Sequence, residues 1–277
     1  MGSRPGSHRP HAPGGSALAD PAIQTHGLVK RFGDLTAVDG LDLTVPAGTM
    51  YGFLGPNGAG KTTTLKMLTG LLRPTAGRAT VAGFDVAAQP LEVKRRIGVV
   101  PESLGLYDRL TGHEYLELVG RLHGLDAATV QDRRARLLDR LELAEKAGTL
   151  TVDYSGGMKK KLALAGALLP DPQVLFLDEP FEGVDAVSAR TVKDMLRTLV
   201  DRRGVTVFFS THIMELVEKL CDTVAIIDHG RLIASGSLAD LRRMATADAA
   251  ASLEDVFLTL VDAAPRTAAD LDWLAGA

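Results

Sequence analysis

The chain has 277 residues, a formal net charge of −3 and a single cysteine, Cys221. One cysteine excludes an internal disulfide and a four-cysteine metal centre, and the chain reads as cytosolic. The slightly acidic balance argues against broad contact with a phosphate backbone, so no nucleic-acid partner is expected. Apolar residues at 45% and charged residues at 23% are those of a globular chain able to bury one large core. No run reaches the roughly 18 consecutive apolar residues that a membrane span requires.

Residues 1–21 are rich in Gly, Pro, Ser and His and lack the apolar centre of a secretory signal, so they are expected to form a disordered tail outside the fold. Gly2 stands where an N-myristoyl acceptor would, but Gly6 occupies the position that motif gives to Ser or Thr. From Ile23 the pattern changes to strand-like runs over 23–30, 35–45 and 50–54, broken by Gly, Asp and Pro. A glycine-rich turn follows, then a helix from Lys61. Between Thr111 and Leu143 only helices are expected: Tyr115, Leu118, Val119 and Leu122 make one apolar stripe, and Val130, Leu137, Leu138 and Leu141 another. The charges at Asp132, Arg133, Arg134, Arg136 and Arg140 then fall mostly on a solvated face. Val174–Leu177 reads as a buried strand followed by a helix through Val192, Met195, Leu196 and Leu199. Further strands are expected at 205–209, 223–227 and 231–234. Buried strands interleaved with amphipathic helices predict an α/β core with a mostly parallel sheet, interrupted by a helical insertion.

The strongest chemical signal is Gly55-Pro56-Asn57-Gly58-Ala59-Gly60-Lys61-Thr62-Thr63, a full match to GxxxxGK[ST] between a strand and a helix. Glycines let the backbone wrap a phosphate chain with its N–H groups turned inward, and the new helix adds its positive end to the same anion. Lys61 supplies a point charge for the β- and γ-phosphates, and the Thr62 hydroxyl suits Mg²⁺. Such a loop needs an acidic partner on another strand. Val174-Leu-Phe-Leu177-Asp178-Glu179 provides it, with Asp178 placed to hold Mg²⁺ through water and Glu179 to act as general base on a water in line with the γ-phosphate. A nucleoside triphosphatase is therefore expected. The single asparagine, Asn57, lies within the loop, which leaves none for the Asn-Lys-x-Asp motif of a GTPase. A small-molecule kinase with the helical insertion as lid stays open at this point.

Tyr154-Ser155-Gly156-Gly157-Met158-Lys159-Lys160-Lys161 stands between the two ATPase motifs, just before an apolar helix. Here the chain resembles the nucleotide-binding subunit of ATP-binding cassette (ABC) transporters, whose signature reads LSGGQ or LSGGM. Ser155, Gly156 and Gly157 at a helix start repeat the anion-binding logic of the first loop. The resemblance, which covers Ile23 to about Asp262, implies that two cassettes pack head to tail and each signature closes on the other's ATP. It further implies an adenine-stacking role for Phe32, a switch histidine at His212 in Ser210-Thr211-His212, and a D-loop aspartate at Asp185, which also suits a helix N-cap. Three positions depart from the family pattern. Glu102 replaces the Q-loop glutamine, where it retains the ability to accept from a metal-bound water; Tyr154 replaces the signature leucine; Glu182 replaces the D-loop serine.

The resemblance thus predicts a P-loop NTPase core with a mostly parallel sheet, an N-terminal antiparallel β part and a helical subdomain at about 103–168 between the Walker A and Walker B motifs. The ATPase domain is expected over 22–236 and a helical C-terminal extension over 237–277. The GGM signature, the stretch Gly105–Thr111 and the terminal Ser252-Leu-Glu-Asp-Val-Phe-Leu258 look like the drug, polysaccharide and antibiotic-export branch. Leu253, Val256, Phe257 and Leu260 there form an amphipathic helix opened by a Ser252/Asp255 cap. The expected partners are a separate transmembrane permease, which would hold the chain at the cytoplasmic face of the membrane, and a second copy or a paralogous cassette. The expected ligands are ATP and Mg²⁺. The alternatives are a cassette that switches a soluble complex and the small-molecule kinase.

Overall fold

A computed structural model describes residues 20–245 and 252–262. The expected N-terminal tail, apart from its last two residues, and much of the C-terminal extension lie outside the described residues.

Two sheets organise the molecule. Strands β1 (Ile23–Phe32), β2 (Leu35–Val45), β4 (Ala76–Val81) and β5 (Phe84–Asp85) form an antiparallel sheet in the order β2-β1-β4-β5. Strands β3 (Met50–Leu54), β6 (Ile97–Val100), β7 (Val174–Asp178), β8 (Thr206–Thr211), β9 (Thr223–Asp228) and β10 (Arg231–Gly236) form the second, in the order β10-β9-β3-β8-β7-β6. All neighbours in it are parallel except the β9–β10 hairpin. The mostly parallel core and the N-terminal antiparallel part are both as expected. β3, β7 and β8 are buried at every position, and their apolar stretches, such as Val174–Leu177 and Val207–Phe209, read as runs rather than alternations.

Helices cover the parallel sheet. α1 (Lys61–Leu68) follows β3, and α2 (Pro90–Lys94) precedes β6. Three helices then intervene before β7: α3 (Gly112–Leu122), α4 (Ala127–Arg140) and α5 (Gly156–Leu168). α3 is opened by a capping box in which Thr111 and Glu114 satisfy each other's backbone N–H, and α4 by the Asp126 side chain. α6 (Ala186–Arg203), α7 (Met214–Leu220), α8 (Leu238–Ala245) and α9 (Leu253–Asp262) complete the order. The Ser252 cap of α9 is present, with Ser252 Oγ accepting from Asp255 N at 3.1 Å and donating to its carboxylate at 2.6 Å.

The strands β4, β5 and β6 extend what the sequence pattern marks. Tyr154, the unusual signature residue, is buried, and its hydroxyl donates to the Lys146 carbonyl at 2.8 Å. Its ring is therefore accommodated in the core, and its hydroxyl adds a bond that leucine could not make.

Phe208 is the packing centre under the parallel sheet. Its ring lies 5.6 Å from Tyr51, 5.3 Å from Phe53 and 5.6 Å from Phe176, all fully buried. Phe208→Ala leaves a void among three rings and is expected to cost about 3–5 kcal/mol, read as a lowered urea midpoint with unchanged slope.

Candidate nucleotide site

The turn between β3 and α1 is shaped by glycines that have no room for a side chain. A Cβ on Gly55 would sit 2.4 Å from the Ile227 carbonyl, and one on Gly60 2.5 Å from the Ala37 carbonyl. Gly60 also adopts φ +102°, as the residue that caps α1. The backbone can therefore turn tightly here, with Pro56, Asn57 and Gly58 at the rim of a cavity of about 390 Å³. Ala59 is buried beneath, and Gly230 N donates to its carbonyl at 2.9 Å.

Lys61 is 6% exposed. Its ammonium donates to the carbonyls of Gly55 at 2.7 Å and Pro56 at 3.1 Å, and lies 3.5 Å from Glu179 Oε1. Glu179 Oε1 in turn lies 3.0 Å from His212 Nδ1. Lysine, carboxylate and imidazole thus form one chain along the floor of the cavity, which Thr62, Thr63, Glu102 and Phe32 also line. Phe32 is 48% exposed, with Lys30 Nζ 5.0 Å from its ring centroid, so its ring is open to a stacking partner at the mouth.

Asp178 ends β7 one residue before, and is buried beneath the cavity rather than lining it. It accepts a hydrogen bond from Ser210 Oγ, at the end of the adjacent strand β8. Ser210 also receives Glu179 N through its carbonyl at 3.2 Å and its hydroxyl at 3.3 Å. Sequence reasoning placed Ser210 beside the histidine without assigning it this role, because the contact exists only once β7 and β8 pair. Glu182 lines the same cavity, an addition that the sequence identified only as a departure.

Ser155, Gly156 and Gly157 are not brought to this cavity. Ser155 caps α5 by accepting from Met158 N at 3.2 Å, and both Ser155 and Gly156 are exposed. Gly157 is different. It is buried, and a Cβ there would stand 2.8 Å from Asp185 Oδ2 and 2.9 Å from Ser188 Oγ, so it permits the close approach of α6. Asp185 caps that helix, accepting from Val187 N at 3.1 Å and Ser188 N at 2.9 Å, which holds its carboxyl below the ordinary aspartate range.

The donor set near the P-loop fits a hard divalent cation carried by phosphates. Thr62 Oγ1, Asp178 and Glu102 offer oxygen alone, and among the described residues no group of three or more His, Cys, Asp or Glu could cage a metal. Mg²⁺ prefers this arrangement, keeping water and phosphate oxygens in its shell and taking one or two protein ligands.

This strand–glycine loop–helix followed by an acidic strand end defines a P-loop nucleotide-binding protein. The chain belongs to the ABC transporter family, whose sequence profile matches residues 38–182. It is an ABC-type ATP-binding subunit and an ATP hydrolase. It is 47% identical over 221 residues to the daunorubicin/doxorubicin resistance ATP-binding protein DrrA of Streptomyces peucetius, covering 80% of this chain and 67% of that one. It is 42% identical over 224 residues to the Nod factor export ATP-binding protein I of Ralstonia nicotianae, covering 81% and 70%. Among solved structures, the ATP-binding subunit of an ABC transporter superposes with a TM-score of 0.81 at 30% identity, covering 87% of this chain and 99% of that one. Family membership removes the small-molecule kinase as a reading.

The two P-loop glycines with left-handed φ make a graded test. Gly58, at φ +81°, has open space where a Cβ would go, whereas Gly60 does not. Gly58→Ala is expected to cost about 1–2 kcal/mol from backbone strain alone. Gly60→Ala adds a clash with the Ala37 carbonyl, and should lower both the melting temperature and the affinity for a fluorescent ATP analogue further than Gly58→Ala does.

Proposed function

We propose that this chain binds Mg-ATP between two copies of itself, or itself and a paralogous cassette, and powers export through a separate membrane permease. The observation that carries the composite site is its division. Lys61, Glu179, His212 and Glu102 meet at one cavity, while the exposed helix start at Ser155 and Gly156 faces elsewhere. Backbone donors at a helix N-terminus attract anions, and this pair is useful to a triphosphate only when a second cassette brings it across. Closed twofold pairing satisfies both sites at once.

Within the site, phosphate oxygens replace the Gly55 and Pro56 carbonyls as partners of Lys61. The P-loop from Gly55 to Thr63 supplies backbone donors, and Phe32 stacks on the adenine. Thr62 and Asp178, with Glu102, would hold Mg²⁺, which neutralises charge on the β- and γ-phosphates when bound. Glu179 accepts the proton of the attacking water, and His212 orients that carboxylate and donates to the γ-phosphate. Asp185, beside the buried Gly157, links the signature to the opposite site. ATP stabilises the closed pair by binding it more tightly than the separate chains, and hydrolysis reopens it.

Coupling to transport is supported by relatives named for drug resistance and Nod factor export. A second, mostly apolar groove of about 340 Å³ lies where β6 meets α3 and α5, lined by Leu71, Ile97, Val99, Tyr115 and Val119 among others. Its apolar lining suits a short permease helix, whereas Glu102, two residues beyond β6, lines the nucleotide cavity instead. Among the described residues no helix is long and apolar enough to cross a membrane, so the substrate path is assigned to that permease, which holds this subunit at the cytoplasmic face. The segment of about 103–168 then acts as the helical subdomain and 237–277 as a C-terminal extension of the 22–236 ATPase domain.

Two substitutions separate binding from turnover. Lys61→Ala removes the cation under the phosphates and should abolish tight ATP binding. Glu179→Gln keeps size and hydrogen bonding but removes the base, so phosphate release should fall by roughly 10²–10⁴-fold while ATP still binds. With one less negative charge near the γ-phosphate, the Glu179→Gln protein should elute as an ATP-dependent dimer. An active Glu179→Gln enzyme would place the base elsewhere.

A further inference from the structure

The acids of this site outnumber its cations. Glu102, Glu179 and Glu182 line the cavity and Asp178 lies below it, whereas Lys61 is folded onto two carbonyls and Glu179. Two of those acids, Glu102 and Glu182, stand where the family pattern has a neutral residue, so the site carries negative charge that a polyphosphate must also tolerate. A second cation does reach it. Lys160, in the second turn of α5, donates from Nζ to the backbone carbonyl of Glu179 at 2.7 Å. Burial lowers its pKa while Glu182, Glu179, Glu102 and Asp178 all pull the other way, Glu182 most strongly.

The Glu179 peptide is an unusual one to leave unsupported. Its φ of +46° lies in the left-handed region, which a non-glycine residue occupies only when its surroundings hold it there. Ser210 holds the N–H side of the residue and Lys160 the carbonyl side. The Glu179 side chain can then run between Lys61 and His212.

We propose that Lys160 is a positioning residue for the ATPase site of its own chain, pinning the Glu179 backbone and offsetting the added carboxylates Glu102 and Glu182. This rests on the assignment of Glu179 as the base. It also gives α5 two tasks: its exposed start serves the opposite nucleotide, and its second turn holds the backbone of the catalytic glutamate of its own chain. The departures at Glu102 and Glu182 become tolerable because this ammonium lies among them.

Steady-state ATPase measurements on the full chain test it, with ATP affinity and thermal unfolding recorded for each variant. Lys160→Met should lower kcat by about 10–100-fold while KM for ATP changes less than about threefold, the pattern of a lost transition-state arrangement. Lys160→Arg, which keeps a cationic donor, should retain kcat within about fivefold of wild type. Adding Glu182→Gln to Lys160→Met should raise kcat by a factor at least about threefold larger than the same substitution produces in the wild-type background, the non-additivity expected of coupled groups. Wild-type kcat in Lys160→Met, an equal loss in Lys160→Arg, or strict additivity with Glu182→Gln would each overturn the proposal and leave the ATPase reading intact. Should Lys160→Met fail to fold, the Lys160→Arg and Lys160→Gln pair carries the same comparison. Full activity in Glu179→Gln would instead overturn the reading beneath it.

Discussion

A buried ammonium is the constraint on which the site depends. Lys61 is nearly inaccessible, and an unpaired cation at that depth would cost several kcal/mol. Its partners are two backbone carbonyls of the loop that precedes it and the carboxylate of Glu179. That requirement fits a loop that curls back to present its carbonyls and an acid placed just beyond β7, while the close approach of the Ile227 and Ala37 carbonyls is what keeps Gly55 and Gly60 without side chains. The same carboxylate then reaches His212, so one charge arrangement joins the ends of β3, β7 and β8.

The antiparallel sheet shares a buried apolar core with the parallel sheet and α1, and hydrogen bonds at its edge fix it to the phosphate loop. Gly230, in the β9–β10 turn, donates to Ala59 and accepts from Asp39 N, each at 2.9 Å. A Cβ at Gly230 would meet the Ala37 carbonyl at 2.8 Å, so the turn and β2 are in close contact. Arg231 adds a bond to Asp39 across the same junction at 2.7 Å. These contacts set β1 and β2 over the P-loop, which brings Phe32, Leu35 and Ala37 to the cavity mouth. The aromatic ring is therefore placed by a clamp on the phosphate loop itself.

Much of this was legible from residue order because the chemistry is local. The phosphate loop, the acidic strand end and the signature are contiguous strings, and each residue type has a physical reason at its position. The strands β3, β7 and β8 were legible from their apolar stretches. β4, Ala76-Gly-Arg-Ala-Thr-Val81, was not, because three of its six residues are exposed and its glycine and arginine obscure any alternation. What escaped entirely were tertiary contacts. Lys160 lies in a lysine run that resembles a solvated helix face, and only the approach of α5 to β7 turns it toward Glu179. Gly157 matched an anion-binding motif, yet its missing side chain makes room for Asp185 and Ser188. Ser155 and Gly156 remain the exposed part of that motif.

The central claim is that each ATPase site is completed by another chain, and complementation between two inactive variants tests it most directly. Lys61→Ala removes one chain's phosphate loop. Gly156→Asp puts a carboxylate on the exposed signature, where a Cβ has room in its own chain, the nearest atom being the Gly183 carbonyl at 3.7 Å. Mixed, the two variants form heterodimers with one intact site, built from the P-loop of the Gly156→Asp chain and the signature of the Lys61→Ala chain. The account predicts ATP-dependent phosphate release from the mixture well above the sum of the separate proteins. Full activity in Gly156→Asp alone, or a mixture no more active than its parts, would contradict it.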